Sequence, residues 1–412
     1  MPRPSDRVWW HVYPLGFTGA PTTRDEGPHE PRLRRLLPWL DHARDVGATG
    51  LLLGPVFDAA SHGYDTLDHL RVDPRLGTEA DLVELITAAH ERGLQVALDG
   101  VFNHVSDRHP TVVRAREASF AGPDAAWLRL DHTPGGPRPS VFEGHGSLVE
   151  LDLANPEVAA YVADVMNHWL DRGVDAWRLD AAYAVATEHW APILAAVRAR
   201  HPHAWVFGEV IHGDYTDVVA RSGMDSVTQY ELWKATWSSV AERNFFELDW
   251  TLTRHNGFLE TFVPQTFVGN HDVTRIATTL GAEGAVVALA VLMTVGGVPS
   301  LYYGDEVAWT GVKEHRAGGD DAIRPPYPAD PAELTGDARV LQAHRDLIAL
   351  RRARPWLTTA RTRPVELTNT RYRYRATAAD GCAALEVELD VTGAPRATIR
   401  SGEGAVLWDS AA

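Results

Sequence analysis

The chain has 412 residues, 45% of them hydrophobic, enough to bury a sizeable core and to exclude an intrinsically disordered protein. Its formal net charge is −16 and no Lys/Arg block is long enough to track phosphates, which excludes nucleic acid as a partner and favours a neutral or cationic ligand. The single cysteine, Cys382, excludes an intrachain disulfide framework and a thiolate metal cluster. The opening residues, MPRPSDRVWWHVYPLG, hold no apolar run of signal length, and no window reads as approaching the roughly 20 apolar residues of a membrane span. A soluble, cytoplasmic protein with no membrane partner is expected.

Short β-like runs alternate with amphipathic helical segments from the beginning of the chain. VWWHVY (8–13) is followed by a predicted helix over 31–46, with Leu33, Leu36, Leu37 and Leu40 at helical spacing. TGLLLGP (49–55) precedes TEADLVELITAAHERG (78–93), where Thr78 is the expected N-cap and Gly93 the terminator. QVALDGV (95–101) leads, after a long interruption, to a helix over 157–172. DAWRLD (175–180) precedes the helical HWAPILAAVRARH (189–201), and AWVFGE (204–209) starts the next cycle. DSVTQY (225–230), QTFVGN (265–270) and PSLYYG (299–304) are three further strands, each with helical sequence behind it. Eight strand-and-helix cycles over about 350 residues predict an α/β fold, a (β/α)8 TIM barrel.

Two segments break the rhythm. The stretch 104–156, containing PGGPRP, is far longer than an ordinary connection and predicts a small excursion domain after the third strand. Beyond Arg354, RYRYRATAADGCAALEVELDVTG alternates polar and apolar residues between turn signals, which predicts an antiparallel β domain. The expected organisation is a barrel over 1–103 and 157–354, an excursion domain over 104–156 and a C-terminal β domain over 355–412.

The barrel strands carry charges where a core strand would carry none. Successive residues of a strand alternate faces, so Arg178 and Asp180 share one face of AWRLD while Trp177 and Leu179 share the other. Asp180 ends its strand, as Asp99 and Glu209 end theirs, and Asn270, His271 and Asp272 follow the seventh. Barrel enzymes place their reactive groups at these strand ends. A buried ion-pair network that only fixes strand register would explain Arg178 with one acid. Acids at the ends of several strands cost stability unless a ligand or reaction uses them. Paired carboxylates beside an arginine suit glycoside hydrolysis, one acid protonating the leaving oxygen while the other attacks the anomeric carbon. The 14 tryptophans offer faces for sugar rings, although packing alone accounts for such a count.

These residues resemble the α-amylase superfamily, glycoside hydrolase family 13. DGVFNH (99–104), AWRLDAAYA (176–184), FGEV (207–210) and FVGNHD (267–272) are similar to its four strand-end motifs, in order. HGYDTLDHLRVDPRLGT (62–78) resembles the segment after strand two and YYGDE (302–306) the ending of strand eight. The resemblance implies Asp180 as nucleophile, Glu209 as general acid and then base, and Asp272 as stabiliser of the distorted sugar. It implies that Arg178 holds Asp180 ionised, that His104 and His271 hydrogen-bond the sugar, and that Tyr64 stacks beneath it. Asp99 and Asn103 become support residues. Arg324 is similar to a family arginine near the sugar pocket, with an ion pair to Asp320 or Asp321 as the alternative. Glu209, among apolar neighbours and away from any arginine in sequence, is expected to have the raised pKa of a proton donor.

Tyr183 and Ala184 stand where α-amylases usually carry a Lys-His pair, and Ser61 where α-glucosidases of the family carry an aspartate. Trp177, His62 and SGMDSVTQY (222–230) are closer to the cyclomaltodextrinase and neopullulanase branch. The implied activity is a retaining α-glycosidase acting on short maltooligosaccharides or related α-glucosides. The alternatives are a glucosyltransferase or isomerase with the same residues, and an inactive sugar-binding barrel. No cofactor is expected. The structural calcium of many family members would have only Asn103 and Glu150 of LVELD (148–152) as oxygen donors.

Overall fold

Strands β1 (Trp9–Val12), β2 (Gly50–Leu53), β3 (Gln95–Gly100), β4 (Ala176–Leu179), β5 (Trp205–Gly208), β6 (Ser226–Val227), β7 (Gln265–Phe267) and β8 (Val298–Tyr302) form one eight-stranded sheet in the computed structural model. Its order is β6-β5-β4-β3-β2-β1-β8-β7, and a parallel bridge between Thr228 and Gln265 brings its two ends together as a near-closed barrel. The structure describes residues 7–23, 30–316 and 318–412; residues 1–6, part of the segment read for a signal, lie outside it. A helix follows every strand. The helices are Trp39–Val46, Glu79–Glu91, Pro156–Leu170, Thr187–Arg200, Tyr215–Ser222, Tyr230–Ala241, Ile276–Thr294 and Ala338–Arg352, with Phe246–Phe258 added after the sixth.

Local sequence explains these boundaries. Thr78 forms a full capping box with Asp81, the Asp81 N–H donating to Thr78 Oγ1 and the Thr78 N–H to Asp81 Oδ2. The helix ends at Arg92 and Gly93, the latter with φ +74°. Asn155 caps the helix that opens with Pro156. DSVTQY yields only a two-residue strand, because Asp225 accepts from the Val206 N–H and Gln229 caps the following helix through the Leu232 N–H.

By internal packing the chain divides into two units. One comprises Met1–Val12, Asp41–Leu51 and Ser226–Ala412, the other Tyr13–Leu40 and Leu52–Asp225. In the second unit Trp177 packs its ring against Phe57 and Phe102, while Trp169 stacks on Phe57. Trp9, Trp10, Trp39, Trp169, Trp177 and Trp190 are all fully buried, so packing takes up much of the tryptophan complement. Between β3 and its helix lie the helix Pro110–Glu117 and two antiparallel ribbons, His104–Ser106 with Leu148–Glu150 and Leu130–Thr133 with Gly136–Pro139.

In the first unit, β9 (Arg361–Leu367), β10 (Arg371–Thr377), β11 (Ala384–Asp390), β12 (Arg396–Ser401) and β13 (Val406–Asp409) form the anticipated antiparallel sheet in sequential order. Tyr372, Tyr374 and Ala376 alternate inward with Leu385, Val387 and Leu389. One sequence expectation is corrected here. The helix Ile276–Thr294 has a mean hydropathy of 1.9 over an 18-residue window, the length and composition of a membrane span, but 67% of that window is buried. Its apolar surface is used in packing against the helices Tyr230–Ala241 and Ala338–Arg352.

Burial also sets a pH dependence. His69, His104 and His255 are pushed down to about 4, and His109 to about 3, chiefly by removal from water. Their unfolded forms bind protons near pH 6.5 while the folded forms stay neutral, so the stability they carry is full above that value and is lost towards pH 4. Urea unfolding at intervals from pH 7 to 4 is expected to show a steep fall in free energy across that window; a flat profile would contradict it.

Candidate active site

In the Tyr13–Leu40/Leu52–Asp225 unit, the ends of β3, β4 and β5 meet around one guanidinium. Arg178 lies in register with Asp99 on the neighbouring strand, and its Nη1 donates to both Asp99 oxygens at 2.7 Å. The same nitrogen reaches Asp180 Oδ1 at 3.1 Å, and Nη2 pairs with Glu209 Oε1 at 2.9 Å. Burial opposes the guanidinium charge, but Asp99, Glu209, Tyr64 and Asp180 outweigh it and hold Arg178 well above its usual value. Asp99 is fully buried and takes the shortest contacts, which fits a supporting role.

Glu209 joins this guanidinium in space. The residue is distant from arginine in sequence, but β4 and β5 pair in parallel and bring it onto Arg178. Its other oxygen accepts from the Ala181 N–H at 3.1 Å. Ala181 holds φ 46° and ψ 35°, left-handed backbone directly after Asp180, and this turn aims its N–H at Glu209. Gly208 cannot carry a side chain: a Cβ there would meet Met224 Sδ at 2.6 Å and Ala182 Cβ at 2.9 Å.

Tyr64 and His104 extend this cluster. The Tyr64 hydroxyl donates to Asp99 Oδ2 at 3.2 Å. His104, kept neutral by burial, has Nε2 3.0 Å from the Tyr64 carbonyl and Nδ1 3.1 Å from the Asn103 amide nitrogen. One tautomer satisfies both, Nε2 donating and Nδ1 accepting. Both ring nitrogens are thus engaged by protein, and His104 holds the Tyr64 backbone in place.

The first unit, which includes Ser226–Ala412, carries the motif after β7. Asp272 Oδ2 meets His271 Nε2 at 2.9 Å, and its Oδ1 meets Arg324 Nη2 at 3.0 Å. Burial pushes the Asp272 carboxyl up, but His271, Arg324 and Lys313 together hold it well below the usual carboxylate range. Arg324 also pairs with Asp320 at 3.0 Å, one of the two ion pairs expected as the alternative, and donates from Nε to the His271 carbonyl at 2.9 Å. Asn270 accepts from the Asp272 N–H at 2.8 Å and donates to the Tyr230 hydroxyl at 3.0 Å. Gly269 admits close approach by Asp305, whose Oδ2 would lie 2.2 Å from any Cβ built there.

The residues do not fit a structural calcium. Glu150 is paired with Arg129 at 3.0 Å, and the Asn103 amide is turned to His104. Among the described residues no group of three His, Cys, Asp or Glu side chains could share a metal ion. Phe142 and Glu143 were missed by sequence reasoning: they lie in the long insertion and carry no motif, yet Phe142 stacks on His104 and Glu143 accepts from Tyr183.

An eightfold barrel with acids at successive strand ends defines a class of barrel enzyme, and comparison with known proteins identifies the family. The model for the alpha-amylase catalytic domain matches residues 33–145 and 140–356, and the chain belongs to that family. A cyclomaltodextrinase from Geobacillus thermopakistaniensis is 30% identical over 376 residues, 84% of this chain and 62% of the relative. A maltogenic alpha-amylase from Bacillus acidopullulyticus is 30% identical over 381 residues, 85% of this chain and 63% of the relative. The chain thus spans less than two thirds of these relatives. A cyclic alpha-maltosyl-(1-->6)-maltose hydrolase from Arthrobacter globiformis shares the fold with a TM-score of 0.80, at 24% identity over 94% of this chain and 90% of that one.

Proposed function

We propose that the protein is a retaining α-glycosidase that hydrolyses α-glucosidic bonds in short maltooligosaccharides or related α-glucosides. The observation that carries this reading is the Asp180–Arg178–Glu209 bridge, set at strand ends of an alpha-amylase catalytic domain. Two carboxylates on one guanidinium favour the short separation of retaining enzymes, about 5 to 5.5 Å, over the wider spacing of inverting ones. Asp180 attacks the anomeric carbon as Glu209 protonates the departing oxygen, giving a covalent glycosyl-enzyme. Glu209 then takes a proton from water, which attacks the same carbon and releases Asp180. Arg178 keeps Asp180 an anion and aims it. Asp272, ionised beside His271 and Arg324, stabilises the positive charge that develops on the sugar. Tyr64 supports the sugar ring and His104 fixes Tyr64, while the substrate is an oligosaccharide met in the cytoplasm, as the intracellular maltogenic amylase of Bacillus subtilis among the relatives supports.

The test is a time course of products from maltose, maltotriose, isomaltose, trehalose, sucrose, cyclodextrin and starch, with and without a sugar acceptor, following anomeric configuration by NMR. The reading expects shortened α-linked products that first appear with the α configuration. Products of inverted configuration, or no turnover of any α-glucoside, would overturn it.

A further inference from the structure

Just beyond β8 the chain buries a carboxylate completely. Glu306 is 0% exposed, and burying an ionised acid is costly unless its oxygens are satisfied. Three donors satisfy this one. His42 Nε2 at 3.0 Å and the Tyr327 hydroxyl at 2.7 Å meet Oε1, and the Gly304 N–H meets Oε2 at 2.7 Å. Burial pushes the Glu306 carboxyl up, but the hydrogen bonds from His42 and Tyr327 hold it below its usual value. The proposed reaction uses none of these side chains, and an apolar core needs no charge at this point.

Tyr327 ends the segment that carries Arg324. Pro325 and Pro326 lie between them, and their rings lock φ at both positions, so an anchor at Tyr327 is transmitted stiffly to Arg324. The backbone of this segment is gripped as well. The Tyr302 hydroxyl and Arg275 Nη2 donate to the Ile323 carbonyl at 3.0 and 2.9 Å, and the Tyr303 hydroxyl donates to the Pro325 carbonyl at 2.9 Å. The Tyr327 ring is seated independently against Tyr303 and Trp309, with centroids 5.4 and 4.8 Å apart, which leaves its hydroxyl to Glu306. At the other end of the segment, Arg324 delivers Nη2 to Asp272 Oδ1 at 3.0 Å.

We infer that Glu306 is a positioning residue: by holding Tyr327 it sets the angle at which Arg324 meets Asp272, and so the aim of the carboxylate that stabilises the charge developing on the sugar. This rests on the glycosidase reading above. Glu306 acts only through Tyr327 and Arg324. A misaimed Asp272 loses an interaction made in the transition state, which lowers kcat more than it raises KM.

Wild type, Glu306→Gln, Tyr327→Phe, Arg324→Lys and the Tyr327→Phe/Arg324→Lys double variant are compared on maltotriose and on 4-nitrophenyl α-glucoside, well below the melting temperature of each protein. Tyr327→Phe and Glu306→Gln are each expected to lower kcat about fivefold or more on both substrates, the worth of one hydrogen bond, with KM nearly unchanged. The double variant is expected to fall no further than Arg324→Lys alone, because the guanidinium that Tyr327 aims is already gone. Tyr327→Phe, which deletes a single oxygen and leaves the ring seated, keeps the test decisive if Glu306→Gln does not fold. A group that serves only the fold would lower the melting temperature and leave kcat of the folded protein unchanged. That result, a loss carried by KM alone, or additive losses in the double variant overturn the inference. A wild-type protein that turns over neither substrate overturns the glycosidase reading beneath it.

Discussion

Asp180→Ala is expected to lower turnover of an α-glucoside by roughly four orders of magnitude or more while the protein still folds. The carboxylate is the only atom group in the proposal that bonds to the anomeric carbon, so no neighbour can replace it at the same point in space. Removal also relieves a crowded cluster: Asp99 and Glu209 stay paired with Arg178 at 2.7 and 2.9 Å, and the charge lost is the one with the longest contact, 3.1 Å. Unfolding temperature should therefore change little or rise. Initial rates at saturating substrate, together with a thermal melt, check both halves. A variant that keeps even a tenth of wild-type turnover would remove Asp180 from the nucleophile's role.

Arg178→Met is expected to fail in the opposite manner, through the fold as well as the chemistry. The side chain is 4% exposed and its principal partner, Asp99, is fully buried. Methionine would fill much of the volume but leave Asp99 as a buried carboxylate without its countercharge, with Asp180 and Glu209 close by. Breaking a buried pair from one side costs about 3–5 kcal/mol. Denaturant unfolding should show a loss of that order, and adding Asp99→Asn should recover part of it without restoring activity. A stability equal to wild type would mean that the guanidinium is not what compensates Asp99.

Much of this architecture was legible in the sequence because barrel strands advertise themselves. QVALDG and AWRL are apolar runs of strand length, bounded by turn residues, and the structure trims each segment by only a residue or two. The site was legible where chemistry lies within one strand, as with Arg178 and Asp180 two residues apart. It was not legible where chemistry depends on pairing between strands. That Arg178 faces Asp99 follows from the β3–β4 register, and that it reaches Glu209 follows from the β4–β5 register, neither of which periodicity specifies. The contact of Glu143 with Tyr183 spans 40 residues and enters from an irregular insertion whose path no local pattern encodes.

The helix Ile276–Thr294 has a consequence for how the chain is made. Its partner Ala338–Arg352 and the sheet β9–β13 follow it in sequence, and the Thr294 hydroxyl lies 2.6 Å from the Tyr374 hydroxyl on that sheet. On the ribosome the helix therefore emerges after its neighbour Tyr230–Ala241 but before these two later surfaces exist. Until the sheet β9–β13 is synthesised, one side of a greasy segment of bilayer-spanning length stands open to whatever is nearby, including other nascent chains. Vectorial synthesis makes that interval the vulnerable one, and the sheet β9–β13 is what ends it.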